Sequence, residues 1–157
     1  MATIDLAESL TREHREIDAG VEAFMRALDE GTVAPEPLRD AFAALRRHIY
    51  LEEELLFPPI RRAGLMMPVL VMTKEHGELW QLMDGIERQL EGPASDKATI
   101  RASCEGLLGA LDGHNTKEEP IVYPHSATDL TADEEATLAD FIETGTMPDG
   151  WVCAAIR

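Results

Sequence analysis

His48-Ile49-Tyr50-Leu51-Glu52-Glu53-Glu54-Leu55-Leu56-Phe57-Pro58 returns later in the chain as His114-Asn115-Thr116-Lys117-Glu118-Glu119-Pro120-Ile121-Val122-Tyr123-Pro124. The shared pattern is H-x3-E-E-x-[LI]-[LV]-[FY]-P. Upstream of each copy lies a second repeated element. Thr11-Arg12-Glu13-His14-Arg15-Glu16-Ile17 matches Thr73-Lys74-Glu75-His76-Gly77-Glu78-Leu79. The chain therefore reads as a doubled unit, and each half offers two histidines and one glutamate in matching places.

Apolar residues around these elements recur at the three- and four-residue steps of a helix. Leu6, Leu10, Ile17, Val21, Phe24 and Leu28 define a first helix over about 5–30, opened by Asp5 with Glu8 and stopped by Gly31. Pro35 and Pro37 open a second helix carrying Leu38, Phe42, Leu45 and Ile49, and Pro58-Pro59 is expected to end it. Pro68 suits the first turn of a third, with Val69, Met72, Leu79, Met83, Ile86 and Leu90 as its stripe and Gly92-Pro93 as its stop. Ser95 is the expected cap of a fourth, which carries Ile100, Leu107, Leu108 and Leu111 and ends or kinks at Pro120 and Pro124. A short fifth helix spans Thr131 to about Thr144, and the tail follows, with Trp151 and Val152 expected to pack against the bundle.

Four long helices with short connections predict an all-α, up-down-up-down four-helix bundle over about 5–125, with the fifth helix and tail over 126–157, in one domain of 1–157. His14, His48, His76 and His114 then meet in one layer. His14 lies 17 residues before Gly31, His48 13 after Pro35, His76 16 before Gly92 and His114 19 after Ser95. At ~1.5 Å per residue these heights agree within roughly 10 Å. Glu52 and Glu118 follow His48 and His114 by four residues, on the same helix face.

Two glutamates in a core layer need positive charge, because an unpaired buried carboxylate costs several kcal/mol. No lysine or arginine shares those stripes. Bound metal supplies the charge, and imidazole with carboxylate suits iron, zinc or manganese. Six ligands exceed the need of one catalytic zinc, and two carboxylates can bridge two ions. The doubling assigns His14 and His48 to one ion and His76 and His114 to the other, with Glu52 and Glu118 between them. Glu53, Glu54 and Glu119 are expected in solvent. Glu13, Glu16, Glu75 and Glu78 are expected at the surface or behind the ligands. His125 lies outside the repeat and is not an expected ligand. The methionines and Trp80 read as core, and Cys153 as an inert thiol.

The rest of the chain narrows the classes. A formal net charge of −16 over 157 residues argues against nucleic acid and anionic membranes as partners. No long apolar run or signal peptide is present. The two cysteines lack metal or redox spacing and fit free thiols in a reducing cytoplasm. There is no H-E-x-x-H and no phosphate-binding G-x-x-x-x-G-K-[ST]. The E-x-x-H pairs of ferritin-like di-iron bundles are also missing.

At these residues the chain resembles the haemerythrin-like, or HHE cation-binding, family over roughly residues 5–125. The resemblance implies a four-helix bundle around two iron ions joined by two carboxylates and an oxo or hydroxo group. It assigns His14, His48, His76 and His114 as terminal ligands and Glu52 and Glu118 as bridges. Oxygen-carrying members have a fifth histidine one turn from the third-helix one, where this chain has Met72 and Trp80. Their fourth-helix carboxylate comes after five residues, whereas here it comes after four. The ligand set looks closer to that of bacterial iron-sulfur-cluster repair proteins and of the haemerythrin domain in an iron-sensing ubiquitin-ligase subunit, which carry further domains. Each iron would then keep an open position for dioxygen, peroxide or nitric oxide. The expected function is binding or reaction with such small oxidants, in sensing or detoxification. The alternative is storage, donation or sensing of iron without turnover. The sequence identifies neither catalytic residues nor a protein partner.

Overall fold

The computed structural model describes residues 5–92 and 96–157. Among these the chain is all-helical, with α1 at Leu6–Asp29, α2 at Glu36–Leu51, α3 at Phe57–Arg62, α4 at Met66–Glu91, α5 at Lys97–Ile121 and α6 at Ala132–Thr144. A π-helical turn, Glu52–Leu56, joins α2 to α3, and a 3-10 turn, Tyr123–Ala127, follows α5. α1 packs on α2 and α5, and α4 packs on α5 and α2, so each long helix has two others as neighbours.

The helix ends are fixed by local chemistry. Asp5 accepts a hydrogen bond from the Glu8 amide at 3.1 Å, which satisfies an otherwise orphaned first-turn donor. At the other end of α1, the Thr32 amide reaches the Ala27 carbonyl and the Gly31 amide the Leu28 carbonyl. Gly31 has φ of 89°, the left-handed conformation this cap requires. Asp96 caps α5, accepting from the Thr99 amide at 2.7 Å. The expected cap Ser95 and the expected stop residue Pro93 lie outside the described residues. Thr131 and Glu134 form a reciprocal capping box at the start of α6.

One boundary differs from expectation. Pro58-Pro59 does not end the second helix, which runs on through the π turn into α3 as far as Arg62. A proline inside a regular helix lacks its amide donor and crowds the carbonyl four residues back. The π turn accommodates this, because the Phe57 amide bonds to the Glu52 carbonyl five residues back and the prolines start a fresh helical segment. Pro120, by contrast, does sit one residue before the end of α5.

The apolar core is divided in two. One cluster, including Ile17, Phe24, Phe42, Leu45, Met83 and Leu107, fills one end. The other, including Leu10, Leu51, Leu56, Phe57, Met72 and Tyr123, fills the other. At the junction of the two, each long helix contributes a histidine, His14, His48, His76 and His114, joined by Glu52 from the π turn and Glu118 from α5, all buried. Trp80, Met25, Met72 and Met83 belong to the core, but Met66 and Met67 at the start of α4 are exposed.

The tail packs as Trp151 and Val152 suggested, against the first cluster. Arg47 holds its root, donating to the carbonyls of Phe141, Ile142 and Gly145 that end α6. Trp151 stands edge-on to Tyr50 at 5.1 Å and to Trp80 at 5.8 Å. Gly77 lets the tail approach α4, since a Cβ there would lie 2.7 Å from that of Ala155. Cys104 and Cys153 are free and buried, and burial pushes both thiols up to about 11, which suits inert groups.

Candidate metal centre

The π turn aims Glu52 into the centre of the molecule, directly after α2 has placed His48 one turn earlier. α5 does the same with His114 and Glu118, while α1 and α4 supply His14 and His76. The six residues fall into two groups. His14, His48, Glu52 and Glu118 each offer one donor atom within 4.8 Å of the others, as do Glu52, His76, His114 and Glu118. Both carboxylates belong to both groups. Glu52 splits its oxygens: Oε2 lies 3.2 Å from His48 Nε2, and Oε1 lies 3.0 Å from His76 Nε2. Glu118 points Oε1 at His14 and His114, at 3.2 and 3.4 Å.

Behind each ring stands a carboxylate. His14 Nδ1 meets Glu119 at 2.8 Å, His48 Nδ1 meets Glu13 at 2.9 Å, His76 Nδ1 meets Glu53 at 2.7 Å and His114 Nδ1 meets Glu75 at 2.9 Å. A carboxylate only accepts, so each Nδ1–H donates and each Nε2 faces inward. Such carboxylate–histidine pairs fix the tautomer and ring orientation of metal-binding histidines. The repeat carries them. The glutamate before each α1 or α4 histidine serves the other histidine of its own half. The second glutamate of each E-E pair crosses to the opposite half.

Two expectations are corrected here. Glu53 is not in solvent: its side chain is 5 % exposed, it holds His76, and its other oxygen accepts from the Ala154 amide at 2.9 Å. Glu119 is about one-third exposed and holds His14. The doubled E-E sets them one residue past the ligand glutamate, facing a neighbouring helix, and tertiary packing decides which histidine each one meets. Glu54 is exposed and accepts from Trp151 Nε1. Glu16 and Glu78 are exposed, as expected. His125 pairs with Asp129 at 2.8 Å and joins neither group.

Tyr123 is the residue that the sequence reading passed over. Its hydroxyl lies 2.8 Å from His14 Nε2, 2.9 Å from His48 Nε2, 2.8 Å from Glu52 Oε2 and 3.0 Å from Glu118 Oε1. The signal is present in the repeat, where a tyrosine stands in the place of Phe57 at the [FY] position.

The donor chemistry fits a cation. With every Nδ1–H committed outward, neutral rings turn Nε2 lone pairs on carboxylate oxygens, and like ends of dipoles and charges repel. Glu118 Oε2 is fully buried with no partner, a costly state for an ionised oxygen. Without metal, protons supply the positive charge. Burial alone would lower His76, but hydrogen bonds to Glu52 and Glu53 and the charges of Glu52 and Glu118 raise it to about 9. Burial likewise opposes His48, which Glu52 and Glu13 carry well above the ordinary histidine value. Burial opposes ionised Glu52 too, but His48 and His76 hold it well below the usual carboxylate range. Burial, with Glu118 and Glu52, pushes the Tyr123 phenol well up.

The hydrogen bond from His76 to Glu53 has a measurable consequence. Glu53→Gln leaves one carbonyl oxygen for two donors, His76 Nδ1–H and the Ala154 amide. The expected result is a loss of ~10–100-fold in affinity for the ion on the His76 side, the usual scale for such partners. Chelator competition should show one weakened ion and one unchanged. Equal weakening of both would mean that Glu53 acts on the fold rather than on His76.

The model of the hemerythrin HHE cation binding domain matches residues 5–126. Neither a curated protein nor a solved structure matches the chain.

Proposed function

Because the chain belongs to the hemerythrin HHE cation binding domain family, we propose that it is a non-haem di-iron protein that binds or reacts with small oxidants. His14 and His48 hold one iron, His76 and His114 the other, and Glu52 and Glu118 hold the pair together, with an oxo or hydroxo group between the ions. The helices form a single up-down-up-down unit, and its setting is the cytoplasm. The observation that supports this reading is the sharing of both carboxylates by two histidine pairs. Two ions at one layer need shared anions to offset their mutual repulsion, and a lone ion does not.

Bound iron supplies electrons to dioxygen, peroxide or nitric oxide. The chain supplies the rest. The Nδ1 carboxylates orient the rings, and the two apolar clusters exclude water from above and below the layer. The partial exposure of Glu13, Glu75 and Glu119, at 17, 20 and 35 %, favours a second reading, in which iron exchanges with solvent along those carboxylates. No helix among the described residues is long and apolar enough to cross a membrane.

The test is metal content together with the near-ultraviolet and visible spectrum of protein expressed with iron, before and after anaerobic reduction and return to air. The expected result is a pair of irons per chain, with bands that bleach on reduction and recover in air. Protein that takes up no ferrous iron overturns the reading. Fast loss of iron to a mild chelator, without peroxide turnover, shifts it to iron handling.

A further inference from the structure

The doubled motif is symmetric in its histidines and glutamates but not in its aromatic residue. Tyr123 stacks on His14, with ring centroids 5.4 Å apart and planes at 28°. At the matching position, Phe57 stacks on His76 at 5.6 Å and 11°. The two halves thus present a phenol to one histidine pair and a bare ring to the other.

The phenol is placed as a donor, not as packing. Donor atoms bound ~2.1 Å from one ion, at right angles to each other, lie ~3.0 Å apart. Tyr123 Oη lies 2.8, 2.9, 2.8 and 3.0 Å from the four donors of the first group. Two neighbouring pairs within that group, His14–Glu118 and His48–Glu52, are both 3.2 Å apart. Five atoms therefore have the spacing of ligands around one centre. A hydroxyl that served only as a hydrogen-bond donor has one proton and would need one acceptor. This one faces four groups at nearly equal distance, and it is 1 % exposed.

We propose that Tyr123 is a fifth protein ligand, through its phenolate oxygen, to the ion held by His14, His48, Glu52 and Glu118, and that the ion at His76 and His114 has no counterpart. The ion takes the place of the phenol proton, which leaves to solvent. This inference rests on the di-iron reading above. It makes the pair chemically unequal. Phenolate, a hard anionic oxygen donor, favours the ferric state of its own ion and fills a position there. The Phe57 side leaves its ion a position bounded by an apolar ring, so the small oxidant binds at the His76–His114 ion.

The test uses the whole chain, loaded anaerobically with ferrous iron and then oxidised by air. The expected visible spectrum carries a broad tyrosinate-to-ferric band, and Raman excitation within it enhances tyrosinate ring vibrations. The chain has two tyrosines, and Tyr50 packs against Phe141 and Trp151 instead, so such a signal reports Tyr123. Tyr123→Phe should abolish band and vibrations while retaining iron. Phe57→Tyr should intensify them by placing a second phenol at the other group. Iron-loaded wild-type protein without tyrosinate vibrations overturns the inference and leaves the di-iron reading standing. So does a Tyr123→Phe spectrum identical to wild type. Failure to bind iron at all overturns both. Should Tyr123→Phe fold poorly, the wild-type Raman spectrum and the Phe57→Tyr gain still decide the matter.

Discussion

Glu52→Gln and Glu118→Gln should each empty both metal positions, whereas His14→Ala should empty only one. The difference follows from membership. His14 lies in one donor group, but both glutamates lie in the two. Glutamine keeps the shape of the side chain and removes its charge. An amide oxygen is a weak donor toward a hard cation, and the NH2 that replaces the other oxygen turns its protons toward either His48 or His76, which lie 3.2 and 3.0 Å from Glu52 Oε2 and Oε1. The lost charge also counts twice. Two dications in one layer repel each other strongly at low dielectric, and each carboxylate offsets part of that repulsion. Substituting a partner that merely orients a ligand costs ~10–100-fold, so loss of a shared ligand should cost each ion more than ~100-fold. Metal per chain after gel filtration reads the outcome directly. A Glu52→Gln protein that retains the full metal content would show that Glu52 does not bridge, and the two groups would have to be treated as separate sites.

That experiment depends on features that the sequence carried openly. The histidine layer could be placed because its members repeat, sit at helical spacing and fall at similar distances from the helix ends. Glu52 and Glu118 stood out because a carboxylate in an apolar stripe is anomalous. The outer carboxylates were harder to read. Glu53 and Glu119 point away from the stripe toward neighbouring helices, and only tertiary packing shows that a histidine waits there. Glu53 is further hidden by the tail, whose Ala154 amide covers its second oxygen. The π turn was invisible for a related reason. Two prolines signal a break in an isolated helix, yet here a single wide turn removes the clash and lets the rod continue. Tyr123 combined both problems. Its ring has the burial of a core residue, and its hydroxyl acquires meaning only from four groups on four other elements, α1, α2, the π turn and α5.

The metal-free protein should lose stability as pH rises from ~6.5 toward about 9, while the metal-loaded protein gains it. His76 is raised from the ordinary histidine value of 6.5 to about 9 in the fold. His48 is raised well above the same value, and His114 is raised too. A group whose folded value lies above its unfolded one binds more protons in the native state. Its contribution is therefore complete below the unfolded value and disappears as pH climbs through the folded one. For His76 alone the loss is about 3 kcal/mol, taking ~1.4 kcal/mol per unit. At ~2–4 °C per kcal/mol for a chain of this size, the melting temperature of chelated protein should fall by about 10 °C. Glu52, held well below its usual range, acts at the opposite edge, and its contribution is lost only in acid. Bound metal reverses the alkaline slope because it requires the same rings unprotonated, so protons compete with it below ~6.5. Free ferrous iron at ~1,000 times its dissociation constant adds about 4 kcal/mol. Paired melts of chelated and iron-loaded protein under anaerobic conditions should therefore converge toward low pH and diverge toward about 9. Metal-free protein whose melting point stays flat or rises across that interval would mean that protons do not stand in for the cation. The buried carboxylates would then be balanced by something other than His48, His76 and His114.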